Sequence, residues 1–253
     1  MIHSFLLIGQ SNMAGRGVIE EAIPVDNTHI KVLRNGRWQK MFRPVNPDRS
    51  FSGVSLAESF AEAYANKYGV DVGLIPCADG GASLAQWQPG SLLFDHAVYQ
   101  ARLANRTSTI AGILWHQGEA DCPEGRHQTY AARFTVMANA LRDTLKLWDV
   151  PLLLGGLGDY LADYVSAKGE AVCANYHLVN DQLKLLAATL PRTGYVPADG
   201  LTPKPDILHF NAASLHEFGL RYFAEFEKLR DPNKIFEEKP HPDNAVRSEM
   251  ELL

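Results

Sequence analysis

The sequence is poor in cysteine. Its 253 residues include only three, Cys77, Cys122 and Cys173, which are odd in number and widely spaced. This usage is typical of reduced thiols in a cytoplasmic enzyme, and it argues against a disulfide framework or a zinc site. Cys122 lies close in sequence to the polar block His116-Gln117-Gly118-Glu119, which contains candidate site residues. Free cysteines are most often buried, however, so we expect Cys122 to be a packing residue.

Excess basic charge and long apolar runs are also missing. The chain has 24 Lys and Arg against 29 Asp and Glu, a net charge of −5. This balance argues against nucleic acid or an anionic membrane as the main partner. No run approaches the length of a transmembrane helix, and the first residues lack a basic segment followed by a cleavage site. We therefore expect a cytoplasmic protein with a small-molecule or oligosaccharide substrate; the sequence indicates no oligomeric state.

Apolar segments alternate with amphipathic ones along most of the chain. The predicted core strands are residues 5–8, 70–76, 110–115, 151–157 and 193–196, with a hairpin at 30–33 and 38–41. The predicted helices are residues 56–68, 92–105, 125–148, 169–190 and 213–229. This alternation indicates an α/β fold with a parallel sheet and helices on both faces. We expect one domain over residues 1–230 and a polar, loosely packed tail over residues 231–253.

Ser11 follows the first predicted strand, directly after Gly9 and Gln10. Ligands of open α/β sheets bind outside the carboxyl ends of the strands, so Ser11 is expected at the mouth of a site. A helix N-cap is the simplest alternative for a serine in this position. A phosphate-binding loop is a second alternative with less support, because neither the G-x-x-x-x-G-K-[ST] motif nor the G-x-G-x-x-G motif is present.

Two later strand ends and the loop before the last predicted helix supply partners for a nucleophilic serine. A serine hydroxyl needs a base, and histidine is the side chain that most often serves as one, so His209 is the candidate. Asp206 lies three residues earlier, close enough on a tight loop to orient the imidazole, although a solvent-facing pair is the default for this spacing alone. The backbone N–H groups of Ser11 and Gly81 and the side-chain amide of Gln117 are candidate donors to a tetrahedral oxyanion.

These residues carry a resemblance to a known family. The blocks Gly9-Gln10-Ser11-Asn12-Met13, Gly80-Gly81-Ala82-Ser83 and His116-Gln117-Gly118-Glu119, followed by Asp206 and His209, resemble those of the SGNH hydrolases. They are most similar to the sialate O-acetylesterase-like branch, which includes the acetylxylan esterases of carbohydrate esterase family 6. The resemblance covers residues 4 to about 225. It implies a three-layer α/β/α sandwich with a central, mostly parallel sheet.

The resemblance also implies an activity, namely removal of acetyl groups from carbohydrates without a metal or other cofactor. It makes Ser11 the nucleophile and His209 the base, with Ser11, Gly81 and Gln117 as the oxyanion hole. Asp206 is favoured as the third member of the triad. Glu119 is the alternative, or it orients Gln117, binds substrate or anchors its loop.

Three further residues, Arg16, Trp87 and His116, are candidate substrate-binding groups. Arg16 would suit an acidic sugar, and Trp87 would stack on a sugar face, although tryptophan more often packs in a core. Two other functions stay open at this point. One is a short-chain acyl esterase or thioesterase for substrates that are not sugars, and the other is a carbohydrate-binding protein without turnover.

Overall fold

A computed structural model of the chain describes residues 1–234 and 236, and its centre is a seven-stranded sheet. The strands are β1 (Ile2–Gly9), β2 (Ile30–Arg34), β3 (Arg37–Lys40), β4 (Asp71–Pro76), β5 (Thr109–His116), β6 (Leu152–Gly155) and β7 (Thr193–Val196). Their order is β3-β2-β4-β1-β5-β6-β7. Strands β2 and β3 form an antiparallel hairpin, and the other neighbours in this order run parallel. The predicted α/β fold is confirmed.

Helices cover the two faces of this sheet. Those of the described residues are α1 (Ser11–Ala14), α2 (Leu56–Tyr68), α3 (Leu92–Ala104), α4 (Tyr130–Leu145), α5 (Tyr176–Thr189) and α6 (Ala212–Leu229), and short 3-10 turns lie in several connections. Because side chains alternate along a strand, β1 feeds both layers. Phe5 and Leu7 pack in the core cluster of α2 and α6. Leu6 and Ile8 pack in the cluster of α3, α4 and α5. The three-layer sandwich is therefore present.

Two helices begin later than predicted. Helix α4 begins at Tyr130, five residues after the predicted start, and Gly125 has φ +84°. Helix α5 begins at Tyr176, seven residues after its predicted start, and Gly169 has φ +79°. A right-handed helix cannot contain positive φ, so both glycines lie in the turns that precede the helices. Helix α2 has the predicted bounds, with a Ser55–Glu58 capping box and Gly69 as its left-handed C-cap.

The described part of the C-terminal tail contacts the rest of the chain. Lys234 Nζ donates to Asp149 Oδ2 at 2.7 Å, and the Phe236 ring lies 4.1 Å from the His3 ring. Most of the predicted loose tail, residues 235 and 237–253, lies outside the described residues. Within the part that is described, no helix has the length and apolar character needed to cross a membrane.

The carboxyl ends of β4, β1 and β5 meet at one edge of the sheet, with β1 in the middle. Gly9, the last residue of β1, lies beside His116, the last residue of β5, in the parallel register. Gly9 has φ +133°, and a Cβ atom at this position would overlap the carbonyl oxygen of His116. The close approach of these strand ends therefore depends on a glycine at position 9.

We predict that Gly9→Ala lowers the free energy of unfolding by about 3 kcal/mol or more, since strain at positive φ and overlap with the β5 backbone add. Gly90→Ala is the matched control, because Gly90 has φ +82° but no atom within 4 Å of an added Cβ. It should lose only about 1 kcal/mol. Urea unfolding followed by circular dichroism measures both losses. Equal losses would mean that the approach of β1 to β5 tolerates a side chain.

Candidate active site

Ser11 is the first residue of the one-turn helix α1. The N-cap position is Gln10, whose backbone N–H donates to the carbonyl of His116 at 2.9 Å. The Ser11 side chain is buried and caps nothing; its Oγ faces His209 instead. Its backbone N–H has no hydrogen-bond partner among the described residues. The simple N-cap alternative is therefore wrong, and Ser11 combines a hydroxyl next to a base with an available N–H donor.

His209 lies between Ser11 and Asp206. Its Nε2 is 3.1 Å from Ser11 Oγ, and its Nδ1 is 2.9 Å from Asp206 Oδ2. An acceptor at Nδ1 places the ring proton there, which leaves the Nε2 lone pair to accept the proton of the serine hydroxyl. The structure thus brings the three predicted catalytic side chains into the order serine, histidine, aspartate.

Asp206 also shapes the loop that carries His209. Its Oδ1 accepts the backbone N–H of Leu208 at 3.0 Å and that of His209 at 2.9 Å. Burial alone would raise the pKa of Asp206, but the hydrogen bonds from the His209 ring and the two backbone N–H groups outweigh it and hold this pKa well below its ordinary value. The carboxylate is therefore ionised beside the imidazole. Lys204 Nζ, at 3.3 Å from Oδ2, adds a positive charge close to the same carboxylate.

Asn12 joins the serine turn to the histidine loop, a role that sequence reasoning missed. Its Oδ1 accepts the backbone N–H of Phe210 at 3.1 Å, and its Nδ2 donates to the Leu208 carbonyl at 3.3 Å. The same Nδ2 donates to Glu119 Oε1 at 2.6 Å. Its position could have indicated this role, because Asn12 directly follows Ser11 in the polar block Gln10-Ser11-Asn12.

Glu119 is buried and bonded to Asn12, and no hydrogen bond joins it to His209 in the described part of the chain. Its Oε1 lies 3.8 Å from Nδ1 of His116, but burial lowers the pKa of His116, so the carboxylate faces a neutral ring. Of the roles left open for Glu119, this geometry favours anchoring. Asp206, not Glu119, occupies the position that orients the histidine.

Gly81 lies on the loop after β4, beside the serine turn. The backbone N–H of Asp79 donates to the Gly9 carbonyl at 3.2 Å, and the N–H of Gly80 donates to Asp48 Oδ2 at 2.8 Å. Gly81 itself is exposed, has φ +79°, and its N–H has no partner within residues 1–234 and 236. The loop thus presents a second unpaired backbone donor at the same sheet edge as Ser11.

Gln117 does not offer the side-chain donor predicted for it. Its Nε2 donates to Asp121 Oδ2 at 2.7 Å and to the Ala82 carbonyl at 3.2 Å, while its Oε1 accepts from Tyr130 Oη at 3.0 Å. Both amide hydrogens are used, and the side chain is completely buried. Through its bond to the Ala82 carbonyl, Gln117 stabilises the Gly81–Ala82 loop, and it has no free amide hydrogen for the predicted contact with an oxyanion.

The predicted substrate contact of Arg16 is corrected. Arg16 is only 3% exposed and forms a bidentate ion pair with Asp48, with Nη–Oδ distances of 3.0 and 2.7 Å. Burial would raise the pKa of Asp48, but Arg16, Ser52 and the Gly80 N–H together lower it. The charge of Arg16 is therefore neutralised inside the protein, beneath the loop of Gly80.

The predicted substrate contacts of Trp87 and His116 are also corrected, because both rings belong to the core. Trp87 is 1% exposed and packs edge-on against Trp115, with centroids 5.6 Å apart. His116 is fully buried, where its Nε2 is 3.1 Å from the Gly156 carbonyl oxygen. Neither ring can reach a sugar without unfolding its surroundings.

Sequence reasoning also missed three exposed residues on the loops next to Ser11. Phe51 is 67% exposed, and its ring centroid is 5.3 Å from Arg16 Cζ. Ile207 is 38% exposed on the histidine loop and has φ +55°, which a β-branched residue rarely adopts. The Arg49 side chain is 40% exposed next to Gly80. Phe51 and Ile207, rather than the predicted residues, expose apolar surface at this end of the sheet, whereas the Arg49 guanidinium is bonded to the loop that contains Gly80.

The predicted packing role of Cys122 is confirmed. Its Sγ donates to the Gly118 carbonyl at 3.4 Å, and Cys173 donates to the Glu119 carbonyl at 3.6 Å. The neighbouring Cys173 thiol, together with burial, raises the pKa of the Cys122 thiol, which disfavours the reactive thiolate. Among the described residues, no group of three or more His, Cys, Asp or Glu is arranged to hold a metal ion.

Comparison with known proteins places this chain among carbohydrate esterases. A sequence model of the family described as carbohydrate esterase, sialic acid-specific acetylesterase, matches residues 1–228. A protein of Arabidopsis thaliana named a probable carbohydrate esterase is 27% identical over 239 residues, which are 85% of this chain and 86% of that protein. The crystal structure of the Arabidopsis protein superimposes with a TM-score of 0.78 at 26% identity, covering 89% of this chain and 98% of that one.

Two more distant solved structures share the fold. NanS aligns with a TM-score of 0.68 and 18% identity over 90% of this chain and 97% of its own. A carbohydrate acetylesterase from Xanthomonas citri aligns with a TM-score of 0.66 and 16% identity over 90% of this chain and 56% of its own. At these identities the two structures support the architecture alone.

We predict that Asp206→Asn lowers kcat for an acetyl ester by about 10³- to 10⁴-fold, because an amide at this position favours the wrong tautomer of His209. Glu119→Gln should lower kcat less than about 10-fold, since its amide oxygen can still accept the hydrogen bond from Asn12. Steady-state kinetics on p-nitrophenyl acetate, with thermal unfolding as the check on folding, compares the two. The reverse ranking in folded variants would make Glu119 the partner of the histidine.

Proposed function

The chain belongs to the sialic acid-specific acetylesterase family of carbohydrate esterases, and we propose that it is a serine esterase that removes O-acetyl groups from carbohydrates through an acyl-enzyme. The observation that carries this proposal is the placement of His209 between Ser11 and Asp206, at 3.1 and 2.9 Å. A surface serine beside a histidine would have no such orienting carboxylate. The family supplies the substrate class, and the geometry supports the mechanism.

Acylation begins with attack of Ser11 Oγ on the carbonyl carbon of the acetyl ester. His209 Nε2 takes the hydroxyl proton as the new C–O bond forms, and Asp206 stabilises the resulting imidazolium. The negative charge moves to the former carbonyl oxygen. The backbone N–H groups of Ser11 and Gly81 donate to it, because both lack partners among the described residues.

The tetrahedral intermediate then collapses. The bond between the carbonyl carbon and the sugar oxygen breaks, and His209 gives its proton to that oxygen. The sugar departs with a free hydroxyl, and the acetyl group remains on Ser11 as an ester. Water next attacks the acetyl carbon while His209 takes one of its protons. The second collapse returns the proton from His209 to Ser11 and releases acetic acid, which ionises to acetate in water, so that the enzyme is regenerated.

The surroundings of the triad suit an ester that is approached from solvent. Ser11 lies recessed below the surface, whereas Phe51 and Ile207 expose apolar surface on the neighbouring loops. An aromatic ring and a branched aliphatic group can pack on the apolar face of a sugar that presents its acetyl group to Ser11. The buried ion pair of Arg16 with Asp48 removes the cationic contact that the sequence predicts for an acidic sugar.

We predict that wild-type protein releases acetate from an O-acetylated sugar, and that Ser11→Ala and His209→Ala each lower this rate by at least about 10³-fold. The panel consists of O-acetylated sialic acid, acetylated xylan, p-nitrophenyl acetate and a p-nitrophenyl ester with a longer acyl chain. His177→Ala is the matched control, because His177 is an exposed histidine on α5 and its loss should leave the activity unchanged.

The panel also separates the competing functions. Preference for the longer acyl ester over every acetylated sugar would favour a general acyl esterase. Sugar binding without acetate release would favour a carbohydrate-binding protein. Full activity of Ser11→Ala would contradict the serine mechanism itself.

A further inference from the structure

We infer that Arg49 is a positioning residue of the oxyanion site, which sets the direction of the Gly81 N–H by holding the peptide that contains it. The inference rests on the proposed function, since it assigns a task to the Gly81 N–H in the transition state. Arg49 is not among the candidate site residues selected from the sequence. It lies on the loop before α2, 31 positions from Gly80.

The contacts of Arg49 converge on the loop after β4. Its Nη2 donates to the Gly80 carbonyl at 2.9 Å. Its Nη1 donates to Asp79 Oδ1 at 3.0 Å and to the Asp48 carbonyl at 2.8 Å. The planar guanidinium is therefore fixed by three acceptors, and its bond to Gly80 is charge-assisted.

The orientation of the Gly80–Gly81 peptide plane must be fixed by contacts from outside the loop, because two glycines do not restrict it themselves. Two consecutive glycines allow the peptide plane between them to rotate with little steric cost, and Gly81 already lies at φ +79°. Asp48 Oδ2 accepts the Gly80 N–H at 2.8 Å, and that carboxylate is itself fixed by the buried Arg16. Asp48 therefore fixes the peptide before Gly80, and Arg49 fixes the one after it.

The direction of the Gly81 N–H follows from that second contact. The Gly80–Gly81 peptide is trans, and in a trans peptide the C=O and the N–H point in opposite directions. Because Arg49 binds the Gly80 carbonyl, the Gly81 N–H points away from the guanidinium. The positive charge of the guanidinium, which lies next to the Gly80 carbonyl oxygen, also polarises the amide and makes the Gly81 N–H a stronger donor.

A donor that acts in the transition state affects kcat and not substrate binding. The test therefore compares Arg49→Met and Arg49→Lys with wild type on p-nitrophenyl acetate, and it measures inhibition by a trifluoromethyl ketone, whose serine adduct carries an anionic oxygen. Arg221→Met is the matched control, because Arg221 also pairs with a carboxylate, Glu217, and donates to backbone carbonyls, those of Pro197 and Asp199.

We predict that Arg49→Met lowers kcat about 10- to 100-fold, less than the 10²- to 10³-fold typical of losing a donor outright, with KM nearly unchanged. Affinity for the trifluoromethyl ketone should fall by the same factor. Arg49→Lys should be intermediate, since an ammonium can reach one acceptor but lacks the fork. Arg221→Met should match wild type in both measurements.

Retention of wild-type kcat and inhibitor affinity by folded Arg49→Met would overturn the inference. A rise in KM without a change in kcat would also overturn it, because Arg49 would then contact the substrate directly. If Arg49→Met does not fold, Arg49→Lys decides on the same two readouts. Full activity of Ser11→Ala in parallel would instead contradict the proposed function, so the two failures are distinguishable.

Discussion

The hydrogen bond between Ser11 Oγ and His209 Nε2 joins residues 198 positions apart, and the other features of the site serve to hold it. Asn12 binds backbone on both sides of His209, so the serine turn and the histidine loop are held together as one unit. Asp206 accepts from the ring of His209 and from two backbone N–H groups of the same loop. A distance suited to proton transfer is thus built in before substrate arrives.

The parallel sheet places this unit between the segments that follow two neighbouring strands. Strand β1 lies between β4 and β5, so the serine turn has the Gly80–Gly81 loop on one side and the His116–Glu119 block on the other. Gly9 permits the close approach on the β5 side. Buried polar groups beneath the site, including the Arg16–Asp48 pair and the Gln117 amide, stabilise the loops rather than contact ligand. Buried charges that are paired in this way position their neighbours without being available for chemistry.

Much of the fold could be predicted because hydrophobic periodicity reports strand and helix directly. The triad could be predicted because the blocks that contain Ser11, Asp206 and His209 resemble those of a known family, whereas a serine after a strand or an Asp-x-x-His pair alone has simpler explanations. The roles of Arg16, Trp87 and His116 could not, since a residue type does not reveal whether its side chain points into the core or out to solvent. The partner of Arg16, Asp48, is 32 positions away in a polar stretch without regular structure. Arg49 and Asn12 were missed for a related reason, because each acts through backbone groups that carry no sequence signature.

Covalent labelling is the sharpest test of whether His209 activates Ser11 as the nucleophile. The protein is mixed with diethyl p-nitrophenyl phosphate, p-nitrophenol release is followed, and the labelled residue is identified by peptide mass spectrometry. We expect one phosphoryl group per chain, on Ser11, with loss of esterase activity in step and with labelling slowed at least about 10³-fold in His209→Ala. A label on another residue, or inactivation that leaves Ser11 unmodified, would contradict the assignment of Ser11 as the nucleophile.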